Sequence, residues 1–374
     1  MEPEIPFNKP ARLGTELERL RIALEGQTSG GGPFGKRCEE KLRELLGCPA
    51  LLVTSATHAL EMCALLLEVG PGDEVILPSF TFVSCANAFL LRGAKILFAD
   101  CDLSGNIDPA EVARLLTPRT RAVMPMHYAG YCCDLKALRD AAGKVPIVED
   151  AAQAICASFE GQPLGTFGSC AAISFHETKN ISCGEGGALV LRDAALVERA
   201  EILRDKGTNR RRFLEGLVDK YTWVDLGSSY ALSDLNAAWL SLQLEESARI
   251  QARRLQLLER YFAELSEPFE HAGASIVRGR PGCSGNGHLF AAVFRAPEER
   301  TRFIAHMRAQ GIATPFHYVA LHTSTMGRKI HRGRPLPLSE RLSLCLVRLP
   351  LYFNLTDAEQ ERVISVARQF LRAC

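Results

Sequence analysis

Short apolar runs alternate with stretches of helical spacing along the first half of the chain. Ala50–Val53, Glu74–Leu77, Ala94–Phe98, Ala122–Pro125 and Val145–Val148 read as strands with few polar positions, the mark of burial on both faces. Glu39–Leu46, His58–Leu67, Ser84–Arg92 and Pro109–Leu116 read as the helices around them. This rhythm predicts an α/β fold whose mostly parallel sheet carries helices on both faces. Leu232–Leu265, free of Gly and Pro, predicts one long helix leading out of a large domain, 1–245, into a smaller α+β domain, 246–374. In the latter, Gly287–Phe294 is strand-like, and Pro297–Gln310 and Thr356–Arg372 are helical. Gly30-Gly31-Gly32-Pro33 predicts a flexible turn or a substrate-facing loop.

A chain of 374 residues can bury a substantial core. Its net charge of +1 gives no general attraction to nucleic acid or membranes. No apolar run is long enough to span a bilayer, and the acidic, proline-broken start Met1–Pro6 does not look like an export signal. The thirteen cysteines follow no Cys-x-x-Cys spacing, so the expectation is reduced thiols in a cytoplasmic protein with no metal site. Cys63, Cys85 and Cys170 fall in apolar runs and read as packed residues, whereas the vicinal Cys132-Cys133 leaves redox chemistry open.

In sheets of this type ligands gather beyond the carboxyl ends of the strands, where the chemically distinctive residues lie. Asp150 closes the run Val145–Glu149, where a carboxylate needs a cation or strong donors, unless it merely caps the next helix. Lys179 follows in a polar loop, before Gly184-Glu185-Gly186-Gly187. A lysine amine and a strand-end carboxylate are what pyridoxal phosphate (PLP) requires. The amine forms a Schiff base and later moves a proton, and the carboxylate keeps the pyridine nitrogen protonated. Gln153 is placed to bond the ring oxygen, and Phe82 either stacks on the ring or fills the core. Ser55, Ala56 and Thr57 open a helix after a strand and either hold a phosphate or only cap that helix; Ser174 is a further candidate donor.

Together Thr54–Leu60, Pro78–Asn87, Val148–Gln153, Ser174–Gly187 and Lys206–Arg210 resemble the DegT/DnrJ/EryC1/StrS sugar aminotransferases, and the likeness runs from Ile5 to Tyr352. It implies fold type I of the PLP enzymes, aspartate aminotransferase-like, and a homodimer. It assigns Lys179, Asp150 and Gln153 to the cofactor, Phe82 to its ring face, and Ala56, Thr57 and Ser174 to its phosphate. Where many relatives carry a Tyr-Asn-Leu stretch whose asparagine reaches the partner's phosphate, this chain has Tyr230-Ala231-Leu232, and Ser228 or Ser229 is the substitute. Phe175–Asn180, Asp219–Trp223 and Gly227–Tyr230 are most similar to members that aminate C4 of a sugar nucleotide. The implied substrates are L-glutamate and a dTDP-4-keto-6-deoxyhexose, and the implied product has the galacto configuration, with the gluco product as the alternative. Lys206, Arg210 and Lys220, with Arg211 and Arg212 beside them, form a basic segment that either meets the diphosphate or is solvated surface. By the same resemblance the segment Phe316–His322 brings His317 and Tyr318 to the sugar pocket, and His322 with less reason.

Three rival readings remain at this level. Other members aminate C3, and some use PLP for dehydration, but those place histidine where Lys179 stands. A regulatory PLP-binding protein is possible on the same fold, though no basic tail or attached DNA-binding segment is present. An α/β enzyme without PLP is disfavoured because no Gly-x-Gly-x-x-Gly follows a strand.

Overall fold

The computed structural model describes residues 3–373; Met1 and Glu2 of the N-terminal segment, and Cys374 among the cysteines, lie outside them. Strands β1 (Ala50–Val53), β2 (Glu74–Pro78), β3 (Lys95–Ala99), β4 (Thr120–Val123) and β5 (Val148–Asp150) come first. A two-strand hairpin, β6 (Ser158–Phe159) and β7 (Gln162–Pro163), precedes β8 (Cys170–Ser174) and β9 (Gly187–Leu191). Hydrogen bonding gives the orders β1-β9-β8-β5 and β3-β2-β4, and parallel bridges Val123–Ile147 and Met126–Asp150 join them into one sheet. Only β9 in this sheet runs antiparallel to its neighbours, β1 and β8. The cause is the connection: β8 returns to β9 through a loop with no crossover helix, so the chain must reverse. That loop carries Lys179.

Alternation along the strands fills two cores. Leu52, Ile76, Ala171, Ile173, Ala188 and Val190 pack on one face of the sheet. Leu51, Val53, Val75, Leu77, Ala172 and Leu189 pack on the other. Each Val, Leu or Ile so buried contributes about 1.5–3 kcal/mol, which is why these strands lack polar positions. A third core holds Tyr261, Phe269, Phe290, Phe294 and Phe303. Around it, β10 (Ser275–Ile276), β12 (Phe290–Val293) and β13 (Leu346–Leu349) form an antiparallel sheet, while β11 (Cys283–Ser284) pairs with β6. The C-terminal helix Asp357–Leu371 starts at a capping box: Thr356 and Glu359 bond each other's backbone amides.

Two sequence expectations need correction. Leu232–Leu265 is not one helix: Asp234–Glu245 and Ser247–His271 are separated by Glu246, whose backbone lies at φ −95°, ψ 11°. The first packs on the helix Pro33–Leu46 and the second on Asp357–Leu371, so the break follows from a change of packing partner. The Gly30–Pro33 segment is a close contact instead of a flexible loop. Pro33 opens a helix, and a Cβ at Gly32 would lie 2.4 Å from Cγ of Asp234. That carboxylate accepts the amides of Phe34 (3.2 Å) and Gly35 (2.7 Å), capping the helix from a distant part of the sequence. Cys132 meets Cys283, distant in the sequence, at 3.6 Å between sulfurs. Among the described residues all cysteines are free thiols.

Glu149, next to Asp150 on β5, anchors the strand end that presents the site. Its buried carboxylate accepts the amides of Phe167 (2.6 Å), Gly168 (2.7 Å) and Gly165 (2.9 Å) and pairs with Nε2 of His127 (2.7 Å). Burial by itself raises the carboxyl pKa, but His127 and the Gly168 and Gly165 amides outweigh it and hold the group below 4.5. We expect Glu149→Ala to lose about 3–5 kcal/mol of stability, since it strands a buried histidine and three amides; urea unfolding measures this. Because the folded-state pKa is depressed, this contribution is complete above the ordinary carboxylate range and fades as pH falls through the folded value. A Glu149→Ala variant as stable as the natural chain at pH 7 would remove this role.

Candidate active site

The ends of β5 and β8, the start of the helix after β1 and the segment before the helix Val83–Leu90 meet at one edge of the sheet. Lys179 sits in the β8–β9 loop, which backbone bonds keep folded: Lys179 N–H to His176 O, Cys183 N–H to Phe175 O, and Glu177 N–H to Gly184 O, at 2.9, 2.9 and 2.8 Å. Among the described residues its amine has no hydrogen bond or ion pair. Burial depresses its pKa below 10.5; the negative charge of Asp150 opposes this, and the guanidinium of Arg348 reinforces it. A lowered pKa makes the lysine amine a more ready nucleophile than one in water.

Asp150 accepts the Ala152 amide at 3.0 Å and the Cys85 thiol at 2.9 Å. The first is the capping contact that the sequence allowed. The second is a weak donor, which leaves the carboxylate fit for a stronger cationic partner. Gln153 accepts the Ala129 amide (2.7 Å) and donates to the hydroxyl of Tyr318 (2.9 Å). The Tyr318 ring stacks on His317 with centroids 3.7 Å apart, and Nδ1 of His317 lies 3.3 Å from the Tyr128 hydroxyl. Burial, then Arg348, Lys179 and His288, push the His317 pKa well below 6.5, so its ring is neutral. Phe82 is not a core residue: it is 52% exposed, its ring 6.2 Å from that of Tyr318. Lys179, Asp150, Gln153, Phe82, His317 and Tyr318 thus belong to one neighbourhood.

At the start of the helix Ala56–Leu66, Ser55 is the N-cap and accepts the His58 amide at 3.1 Å. Thr57 bonds Ser84 (2.7 Å), and Ser174 accepts the His176 amide (3.3 Å). The amides of Ala56 and Thr57 open the helix and have no acceptor within it. Gly187 keeps this end accessible: a Cβ there would lie 2.4 Å from the Ala56 nitrogen. Ser229 is exposed, in an extended segment whose next residue, Tyr230, accepts the Thr54 amide at 2.9 Å.

The basic segment is elsewhere. Lys206, Arg210 and Lys220 are exposed, and none bonds to the Lys179 group among the described residues. Lys206 pairs with Asp205, Arg211 with Glu201 and Glu215, and Arg212 with Glu198. His322 is occupied by Ser79 (2.6 Å) and Glu340 (3.0 Å), a buried structural position.

Four residues of the site escaped the sequence reading. Cys85 looked like an apolar filler, and Tyr128, just beyond the strand-like run Ala122–Pro125, carried no signal of its own. His288 bonds Asn180 Oδ1 at 2.9 Å, bracing the residue after Lys179 from the C-terminal part of the chain. Arg348 is on β13, far along the sequence. Its one signal was a charge within the otherwise apolar run Leu346–Leu351.

A free amine, a carboxylate open to a cation, an aromatic face and a helix start with unused amides match the four parts of PLP: its aldehyde, ring nitrogen, ring face and phosphate. With the sheet order and its single reversed strand, they define a PLP-dependent aminotransferase of fold type I. The sequence pattern of the DegT/DnrJ/EryC1/StrS aminotransferase family matches residues 12–368, and the chain belongs to that family. The aminotransferase TlmJ from Streptoalloteichus hindustanus is 32% identical, with a TM-score of 0.91 and 99% of each chain covered. DesV from S. venezuelae, solved in complex with a ketimine intermediate, is 30% identical with a TM-score of 0.89 over 99% of each chain. A 3-amino-5-hydroxybenzoic acid synthase is 27% identical with a TM-score of 0.88 over 100% of each chain.

Proposed function

We propose that this enzyme moves the amino group of L-glutamate to C4 of a dTDP-4-keto-6-deoxyhexose, giving dTDP-4-amino-4,6-dideoxy-D-galactose and 2-oxoglutarate. The observation that carries the reading is the unpartnered amine of Lys179 within the field of Asp150 and Arg348, beside the paired rings of His317 and Tyr318. When bound, PLP supplies the electron sink that makes the donor's α-proton labile. Lys179 holds the cofactor between turnovers and carries that proton once released. Asp150 balances the ring nitrogen, and Gln153 bonds the ring oxygen. Phe82 covers the ring face. Ser55, Ala56, Thr57 and Ser174 surround the phosphate, and Ser229 of a second copy completes it.

His317 and Tyr318 line the sugar pocket from above Gln153. A neutral His317 suits an uncharged keto sugar better than an imidazolium would. Lys206, Arg210 and Lys220 are exposed, and in the homodimer that the family resemblance implies this segment meets the partner's bound diphosphate. The similarity of Phe175–Asn180 and Asp219–Trp223 to C4-aminating members is the basis for the position and the galacto product. A cytoplasmic role in the synthesis of enterobacterial common antigen or lipopolysaccharide follows from that product.

Purified holoenzyme, L-glutamate and dTDP-4-keto-6-deoxy-D-glucose test the reading. We expect the cofactor's visible band to fall on adding L-glutamate and to return with the keto sugar. Mass spectrometry should show a 4-amino product, and NMR coupling constants a galacto ring. A band that answers L-glutamate but not this sugar would reject the substrate and keep the transaminase.

A further inference from the structure

Cys132 and Cys283 take no part in the reaction above, yet the fold brings them into contact. The Cys132 thiol donates to the sulfur of Cys283, the first residue of β11, at 3.6 Å. Cys283 is partly exposed, whereas Cys132 is buried. The hydrogen bond from Cys132 holds the Cys283 pKa below the ordinary thiol range. Burial opposes this, and the Cys132 amide, His127 and Arg280 add to it. The Cys132 pKa is raised in turn, by the same bond and by burial, so the shared proton stays on the buried sulfur.

Cys63 and Cys170 make the contrast clear. Cys63 also bonds Cys170, but both lie within the core, and burial raises the Cys63 pKa well above its ordinary value. Thiols so enclosed are inert packing. Cys283 differs in having an open side from which an oxidant can approach.

A disulfide holds its sulfurs about 2.05 Å apart, so this pair has about 1.5 Å to close. The chain segments that carry it have little slack. A Cβ at Gly285 would lie 2.3 Å from Cε1 of Tyr131, and one at Gly130 would lie 2.1 Å from Oδ1 of Asn286. Asn286 donates to the carbonyls of Gln153 (2.8 Å) and Ile155 (2.8 Å). Its own carbonyl accepts Nδ2 of Asn180, the residue after Lys179, at 2.9 Å. Closing the pair therefore pulls on Gln153 and on the Lys179 loop together.

We propose that Cys283 and Cys132 are a reversible disulfide site, oxidised by a small-molecule disulfide, and that closing it slows the enzyme. The Cys283 thiolate attacks one sulfur of the oxidant, forms a mixed disulfide and releases one small thiolate. That thiolate takes the Cys132 proton. The Cys132 sulfur then attacks that of Cys283 and expels the second small thiolate. The protein loses two electrons, and the oxidant gains them as one thiol and one thiolate. A partly exposed disulfide is readily reduced again, so the change is reversible by thiols.

Reduced holoenzyme, incubated with oxidised glutathione, alkylated and mapped without reduction, tests this. We expect a peptide pair joining Cys132 to Cys283 and a protein lighter by two hydrogens before alkylation. Bleaching of the cofactor band by L-glutamate should slow by roughly tenfold or more, since small displacements of positioned groups are costly, and dithiothreitol should restore it. Cys132→Ser should stop with one glutathione on Cys283. Cys283→Ser should form neither product and keep a basal rate that oxidised glutathione does not change. If neither variant folds, the peptide map and rate of the natural chain decide. Absence of the Cys132–Cys283 link would overturn the proposal, as would a complete link that alters the rate by less than about twofold. If the reduced enzyme does not react with L-glutamate, the functional reading above fails. The peptide map, with the rate of PLP capture by apoprotein in place of bleaching, then decides the disulfide.

Discussion

Lys179→Ala removes the visible band of lysine-bound cofactor and lowers turnover by roughly 10³-fold or more. The amine has two jobs in the proposed reaction. It is the covalent anchor, and a positioned acid–base group of this kind is worth about 10²–10⁴-fold on its own. Lys179→Arg tests the chemistry against the charge: an arginine stays protonated and can neither anchor the cofactor nor accept the proton. Lys179→Ala should melt close to the natural apoprotein, because among the described residues the lysine amine has no hydrogen bond or ion pair to lose. Spectra from 300 to 500 nm and single-turnover mixing with L-glutamate read the effect. A band retained in Lys179→Ala would mean that another lysine holds the cofactor. The pH profile carries a sign as well. Since burial and Arg348 depress the Lys179 pKa, capture of added PLP by apoprotein should rise with pH and level off below 10.5.

Asp150→Ala is the second large effect. Its carboxylate lies at the end of β5 with 5% of its surface exposed, and its donors are one amide and one thiol. Removing the anion that faces a buried cation costs about 3–5 kcal/mol, which on the rate corresponds to roughly 10²–10³·⁵-fold. Cofactor capture should persist, because Lys179 and the helix start remain, but proton removal from L-glutamate should slow. Asp150→Asn keeps the shape and the Ala152 contact without the charge, so an equal loss in both variants assigns the effect to electrostatics. A fast Asp150→Asn enzyme would deny the ring-nitrogen role. Replacing Cys85 by serine is not equivalent, since it only exchanges a weak donor for a stronger one.

Glu149 and Asp150 show how one short strand divides structure from chemistry. Successive side chains of a strand point to opposite faces, so neighbours on β5 do unrelated work. Glu149 is consumed by His127 and three amides inside the protein, and Asp150 meets Cys85 and the Ala152 amide, with its charge felt at Lys179. Read in sequence, both were acids at the end of an apolar run. Asp150 stood out as the carboxylate that closes the run ahead of the Lys179 loop, and the anchoring by Glu149 was not anticipated.

Local pattern alone determined much of this protein. Uniformly apolar runs with helices between them gave the sheet, since strands buried on both faces cannot alternate with polar residues. The Lys179 loop, the Asp150 strand end and the Ser55 helix start were legible because each depends on a few adjacent residues. Tertiary structure decided what adjacency cannot encode. The break at Glu246 reflects a change of packing partner, with no Gly or Pro to announce it. Gly32 admits the carboxylate of Asp234, about two hundred positions away in the chain, and Gly30 admits the backbone beside it. Arg348 and His288 come near Lys179, and His317 meets Tyr128, only when the C-terminal part of the chain docks against the large sheet. A charge acquires its role from its surroundings, and those are set by contacts between distant parts of the sequence.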